Sequence, residues 1–270
     1  MKVGIHAGSN DPDKIAEQCR QAGVDEVFLR VGVDPGFSKH GYLNADSVKA
    51  FRDALADRGI GASGMVTPVP SREMVLGDDE AGVENLCKTL KAMGEGGIET
   101  TLYYPLDKFI YFKEYHPGQP LELTVGGEGW DKVIQFFRRV TSAADEVNLK
   151  LANHLWVPDM QQAIWEEVPS PSNGVTYCQG MYIFGEDPHT AVDTWGIDRI
   201  FFCHARNLIR HGPGFWEYEE VPLDKGDVDI AHCVRSLIDA GYDGLIIPEH
   251  LGEGTSLAES IAYLKGLIDQ

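Results

Sequence analysis

The sequence predicts an α/β protein, a single (β/α)8 TIM barrel that takes up residues 1–270. Its length of 270 residues is close to the ~250 typical of such a barrel. A short apolar run, a loop rich in Gly, Pro, Asp or Asn, and an amphipathic helical stretch recur eight times. Strict alternation of this kind predicts a parallel sheet with helices outside it, and eight units favour closure over an open sheet.

The predicted strands are the apolar runs that follow the turn residues. They lie at 2–6, 26–31, 60–66, 98–104, 149–155, 174–178, 199–204 and 243–249. The first predicted helix begins at Asp11-Pro12, a cap followed by proline, and ends at Gly23. The other helices that we assign run from Asp46 to Gly59 and over 79–93, 129–147, 228–240 and 256–268.

Two long loops, 105–128 and 208–226, each follow a predicted strand. We therefore expect both at the C-terminal face of the barrel, where barrel enzymes carry their active sites. Both loops are aromatic, and this composition fits either lids over a small ligand or apolar plugs that close the barrel. The aromatic residues are Phe109, Tyr111, Phe112, Tyr115, Phe215, Trp216 and Tyr218.

Charge and cysteine usage limit the classes of partner. The formal net charge of −19 argues against nucleic acid and against an anionic membrane surface, since both require basic residues. No apolar run approaches the roughly 18 residues that span a bilayer. Five widely spaced cysteines without a CxxC pair predict free thiols in a reducing compartment, so we expect a cytoplasmic protein.

Four potential metal ligands stand at the ends of the last four predicted strands: His154, Cys178, His204 and Glu249. Side chains at the same height on neighbouring barrel strands converge on the barrel axis. Imidazole, thiolate and carboxylate together suit Zn²⁺, Mn²⁺, Fe²⁺ or Co²⁺ better than Ca²⁺. The alternative is that the cysteine only packs and that each histidine only bonds the backbone.

Further polar residues are predicted on the same face: His6, Arg30, Tyr103, Arg206, Asn207 and His250. A buried arginine is costly unless it is paired, so Arg30 and Arg206 are candidates for binding a carboxylate or a polyol. Cys203 precedes His204 on its strand and is expected to point outward.

Several segments resemble the mannonate dehydratase family, within the xylose isomerase-like TIM barrel superfamily. They are AsnGlyValThrTyrCysGlnGly at 173–180, HisAlaArgAsn at 204–207, GlyAspValAspIle at 226–230 and the Pro-Glu-His ending of 241–250. The resemblance covers the chain from about residue 150 onward. It implies an enzyme that eliminates water from a six-carbon aldonate to give a 2-keto-3-deoxy sugar acid.

The resemblance also implies site roles. His154, Cys178, His204 and Glu249 would bind one divalent ion, with Mn²⁺ favoured and Zn²⁺, Fe²⁺, Co²⁺ or Mg²⁺ as other choices. His250 would be the acid/base group. With the residues on the same face, the predicted catalytic set is His250, Arg206 and Tyr103, and the predicted substrate-binding set is His6, Arg30 and Asn207.

The sequence departs from that family at four places. Ile247 replaces an arginine two residues before the carboxylate, and Glu249 is one methylene longer than the family's Asp. Residues 252–256 leave no room for a segment that carries a catalytic tyrosine, and the acidic stretch 217–220 replaces a loop histidine.

The leading hypothesis is therefore a metal-dependent sugar-acid dehydratase. One alternative is a metal-dependent sugar isomerase or epimerase, which uses the same proton abstraction without loss of water. The other is a metal-containing sugar-binding barrel without catalysis. The expected partner is a small sugar acid or sugar, and the sequence also allows a homo-oligomer.

Overall fold

The structure is a computed structural model, and it describes residues 1–106, 123–155, 157–183, 187–212 and 217–270. One sheet contains nine parallel segments: β1 (Lys2–Val3), β2 (Ile5–His6), β3 (Glu26–Arg30), β4 (Gly61–Val66), β5 (Thr100–Tyr103), β6 (Lys150–Asn153), β7 (Asn173–Cys178), β8 (Ile200–Ala205) and β11 (Leu245–Pro248). Their order in the sheet is β1-β11-β8-β7-β6-β5-β4-β3-β2.

The first stretch of chain closes this sheet into a barrel. β1 pairs with β11, and β2 pairs with β3 on the other side. Between the two segments, the Gly4 amide donates to the Ile246 carbonyl oxygen at 3.1 Å. A Cβ at Gly4 would lie 2.8 Å from the Glu26 carbonyl oxygen, so only glycine fits this point of closure. The predicted (β/α)8 barrel is confirmed.

Helices lie between the strands, and the first of them begins at the predicted cap. Asp11 accepts from the Asp13 amide at 2.9 Å, and Gly23 ends the first helix in the left-handed region. In the described part of the chain, no helix has the length and apolar character needed to cross a membrane. The helices are α1 (Pro12–Ala22), α2 (Phe37–His40), α3 (Ala45–Ala56), α4 (Arg72–Val75), α5 (Glu80–Glu95), α6 (Trp130–Asp145), α7 (Pro158–Glu167), α8 (Gln179–Tyr182), α9 (Ala191–Trp195), α10 (Ile230–Asp239) and α11 (Leu257–Ile268).

Two apolar clusters hold the layers together. The larger one lies between the strands and the helices and includes Tyr103, Phe137 and Cys203. The smaller one fills the barrel interior with Phe28, Leu102, Ala152, Phe201, Phe202, Leu245 and Ile247. Burial of this interior makes the sheet a rigid support for the side chains at its C-terminal ends.

The predicted loop 208–226 contains secondary structure that sequence reasoning missed. β9 (Asn207–Arg210) and β10 (Tyr218–Val221) form an antiparallel hairpin. β9 begins at Asn207, two residues after β8 ends at Ala205, so the hairpin directly follows β8. The predicted lid or plug residues 109, 111, 112, 115, 215 and 216 lie outside the described residues.

Candidate metal centre

The four predicted ligands converge at the C-terminal end of the barrel. His154, Cys178, His204 and Glu249 each offer one ligand atom, and these atoms lie within 4.8 Å of one another. Strand register explains this, since both Cys178 on β7 and Ile247 on β11 lie opposite His204 on β8. Glu249 follows two residues after Ile247 and therefore returns to the same face. Cys203 packs outside the barrel, as predicted.

Burial sets the protonation of this cluster. Burial, and then the neighbouring His204, lower the pKa of His154 to about 3. The pKa of His204 also lies well below its ordinary value, first because of burial. Both imidazoles are thus held neutral, which is the form that ligates metals.

Cys178 is only 1% exposed. Burial, and then the charge of Glu249, raise the pKa of its thiol to about 12. A nearby cation is what converts such a buried thiol to the thiolate.

One nitrogen of the cluster tests directly whether these residues fit a cation. Nδ1 of His204 lies 3.0 Å from Oε2 of Glu249. The contact lacks hydrogen-bond geometry, and this buried nitrogen has no hydrogen-bond partner. Two electron-pair donors at this separation are mutually repulsive unless a positive charge lies beside them. The donor set therefore fits a divalent ion of the kind that binds nitrogen, sulfur and oxygen together.

His250 reaches the mouth of the barrel because the chain turns sharply there. β11 ends at Pro248, and His250 has a φ of 49°, in the left-handed region that disfavours residues with a Cβ. Strained backbone of this kind is common at functional sites. Its Nε2 lies 3.9 Å from Oε1 of Glu249, and its Nδ1 lies 3.7 Å from Oε1 of Glu220. The predicted turn at 249–250 is confirmed.

Arg206 is paired within the protein. Its Nε donates to Oε2 of Glu220 at 3.1 Å, and a terminal nitrogen donates to Oε1 of the same carboxylate. The same nitrogen donates to the Tyr218 hydroxyl at 2.9 Å. Glu220 thus contacts both Arg206 and His250, although sequence reasoning did not single it out. Its only signal was its place in an acidic stretch.

His6 and Arg30 lie beside the cluster. Nε2 of His6 is 3.4 Å from Nε2 of His204. Burial lowers the pKa of His6, while the Glu249 carboxylate opposes this effect and the Arg30 charge adds to it. Arg30 is exposed, and its Nε donates to the Ala7 carbonyl oxygen at 3.3 Å.

Tyr103, which the sequence predicts as a catalytic residue, does not point toward the cluster. Its ring packs on Phe137 of α6 with centroids 6.3 Å apart, in the layer between strands and helices. Alternation along the strand instead brings the next residue inward. The ring of Tyr104 lies 4.9 Å from that of His154. Leu102 faces the barrel interior, and strand alternation from this apolar residue indicates that Tyr103 points outward and Tyr104 inward.

Asn207, which the sequence predicts as a substrate-binding residue, has its side-chain amide fully hydrogen-bonded within the protein. Its Nδ2 donates to the carbonyl oxygens of Leu223 and Val228 at 2.8 and 2.9 Å. Its Oδ1 accepts from the amides of Leu208 and Val228 at 2.9 and 3.1 Å. These four bonds exhaust the capacity of an amide side chain. Asn207 therefore ties the returning chain to the start of the hairpin.

Comparison with known proteins agrees with this architecture. Residues 16–267 match the xylose isomerase-like TIM barrel family. The chain belongs to this family. Among solved structures, the mannonate dehydratase from Streptococcus suis serotype 2 superposes with a TM-score of 0.79 at 17% identity, over 100% of this chain and 93% of that one. The D-psicose 3-epimerase from Clostridium cellulolyticum H10 superposes with a TM-score of 0.67 at 15% identity, over 97% of this chain and 89% of that one. At these identities the likeness shows the shared fold.

Curated relatives are more similar in sequence over part of the chain. The mannonate dehydratase of Enterococcus faecalis is 31% identical over 132 residues, which are 43% of this chain and 36% of that protein. The mannonate dehydratase of Saccharophagus degradans is 30% identical over 162 residues, which are 52% of this chain and 40% of that protein. The matched region thus spans less than half the length of these relatives.

We predict that Asn207→Asp destabilises the protein by about 1–3 kcal/mol, because both donated hydrogen bonds are lost inside the fold. Denaturant unfolding measures this change. Asn44→Asp is the matched control, since Asn44 caps α3 only by accepting from the Ser47 amide at 3.0 Å, and aspartate caps equally well. Equal unfolding midpoints for the two variants would show that the Asn207 amide does not stabilise this region.

Proposed function

We propose that this protein is a metal-dependent sugar-acid dehydratase that eliminates water from an aldonate or a related polyol acid. The observation that carries the proposal is the convergence of His154, Cys178, His204 and Glu249 at the barrel mouth, with His250 beside them. The similarity to mannonate dehydratases supports the reaction class. Five free cysteines support a cytoplasmic location.

The four converging side chains would hold the ion. When bound, a divalent cation polarises a carboxylate or hydroxyl oxygen of the substrate and so acidifies the neighbouring C–H bond. The mixed nitrogen, sulfur and oxygen donors support Mn²⁺, Zn²⁺, Fe²⁺ or Co²⁺.

The remaining residues bind the substrate and move its proton. His250 is half exposed at the rim of the cluster, and its imidazole takes up the proton from carbon and returns a proton to the departing hydroxyl, which leaves as water. Arg30 is exposed beside His6 and binds the anionic end of the substrate. Arg206 acts on the substrate only through the pair that it forms with Glu220, because that carboxylate already occupies its guanidinium.

A second candidate, a sugar isomerase or epimerase, is favoured by one feature of the mouth. Arg206 is neutralised by Glu220, and Ile247 is buried and apolar. A neutral sugar needs no guanidinium for binding, whereas a sugar acid depends on Arg30. Product mass distinguishes the two reactions, since dehydration removes one water and isomerisation conserves mass.

We predict that Cys178→Ala sharply lowers the metal content of the purified protein, because it removes the thiolate ligand. Elemental analysis against protein concentration measures the stoichiometry. Cys203→Ala is the matched control: this thiol lies one register position away but packs outside the barrel. Equal metal content in the two variants would exclude Cys178 as a ligand.

We predict that the metal-loaded protein converts at least one aldonate to a product lighter by one water, and that His250→Gln lowers this turnover by ~10² or more. The metal content should stay unchanged, because His250 is not a ligand. A panel of aldonates, with products identified by mass spectrometry, measures both results.

His211→Gln is the control for this variant. His211 is 56% exposed, against 54% for His250, and likewise lies near a glutamate. Normal turnover by a fully metal-loaded His250→Gln variant would remove His250 from the mechanism. A metal-loaded wild-type protein that changes no aldonate but interconverts neutral sugars would replace the dehydratase with the isomerase.

A further inference from the structure

His6 lies against a metal ligand without belonging to the ligand group. Its Nε2 is 3.4 Å from Nε2 of His204, a long hydrogen bond between two imidazoles. The converging ligand atoms belong to His154, Cys178, His204 and Glu249. The contact therefore joins His6 to the cluster through His204.

Only one of the two facing nitrogens can carry the hydrogen of this bond when both rings are neutral. If His6 donated, Nε2 of His204 would accept and Nδ1 of His204 would carry a hydrogen. Nδ1 lies 3.0 Å from Oε2 of Glu249 but makes no hydrogen bond, so that hydrogen would be left without an acceptor inside the fold. His204 would then have no lone pair free for a cation.

The opposite arrangement agrees with both observations once a cation lies beside Nδ1 of His204 and the Glu249 carboxylate. His204 donates from Nε2 to His6, and the lone pair of His204 remains on Nδ1, on the side of Glu249. A ligating histidine commonly donates its second ring N–H to such a partner, which fixes the tautomer and the ring orientation.

We propose that His6 is a positioning residue of the metal centre: it accepts the Nε2–H of His204 and so directs the lone pair on Nδ1 of His204 toward the bound ion. The inference rests on the proposed metal centre and assigns His6 a role different from direct substrate binding. It does not depend on which sugar is the substrate.

The surroundings of His6 suit a fixed ring. Its edge contacts with Phe28 and Phe202 have centroid distances of 5.7 and 6.3 Å. Gln18 donates to the His6 carbonyl oxygen at 3.2 Å and holds the backbone behind the ring. His6 thus sits on a short strand with its ring against the edges of two neighbouring aromatic rings, which limits its freedom to turn away from His204.

The test is the affinity for Zn²⁺ alone, measured by competition with a chromophoric chelator. We expect His6→Phe to weaken Zn²⁺ binding about 10–100-fold, as is usual when such a partner is lost. His6→Gln should recover most of the loss, because its amide oxygen can accept the same hydrogen bond. His40→Phe, at an exposed histidine outside the cluster, should bind as the wild type does.

A second measurement needs no variant. In the Zn²⁺-loaded wild-type protein, the ¹⁵N resonances of His204 should show the proton on Nε2 and the metal on Nδ1. Wild-type affinity in His6→Phe, or a His204 proton on Nδ1, would overturn the role of His6 alone. A wild-type protein that binds no Zn²⁺ would overturn the metal centre and this inference with it. A protein that meets these expectations but dehydrates no sugar acid would overturn only the proposed reaction.

Discussion

The close approach of His204 and Glu249 is the constraint on which the rest of the barrel mouth depends. A buried imidazole nitrogen and a carboxylate oxygen lie 3.0 Å apart without a hydrogen bond. Cys178 and His154 complete the group within 4.8 Å. Burial keeps both histidines neutral and the thiol protonated. A bound cation offsets the repulsion between the imidazole nitrogen and the carboxylate oxygen, and it stabilises the thiolate form of Cys178.

Two structural elements pack against the cluster, strand β2 on one side and the β9–β10 hairpin on the other. His6 abuts His204 from β2, at the seam where the barrel closes. On the other side, the hairpin that follows β8 carries Glu220, which contacts Arg206 and His250. A Cβ at Gly252 would lie 2.4 Å from Cα of Val221, so the chain after His250 packs directly on the hairpin backbone. The segment that carries His250, the acid/base candidate, is therefore packed against the hairpin that carries Glu220.

The convergence of the four candidate ligands could be predicted from the sequence because parallel strands repeat their geometry. A side chain at the end of each strand reaches the same axis, so His154, Cys178, His204 and Glu249 needed only correct strand ends. Tyr103 points away from this axis for a related reason: a shift of one residue along a strand moves the side chain to the opposite face. The inward residue is Tyr104.

Pairing between distant residues could not be predicted in this way. Asn207 and Arg206 are polar residues at a strand end, as binding residues often are. Their partners Leu223, Val228 and Glu220 come from the returning chain, and only the fold brings them together. The hairpin itself was missed because its second strand is an acidic, partly exposed edge without a clear apolar alternation.

X-ray absorption spectroscopy of the Zn²⁺-loaded protein tests the central claim most directly, because it counts the atoms that bind the ion. The account predicts one sulfur scatterer at ~2.3 Å with nitrogen and oxygen atoms at ~2.0–2.2 Å. A first shell of nitrogen and oxygen alone would contradict it, because Cys178 would then lie outside the metal centre.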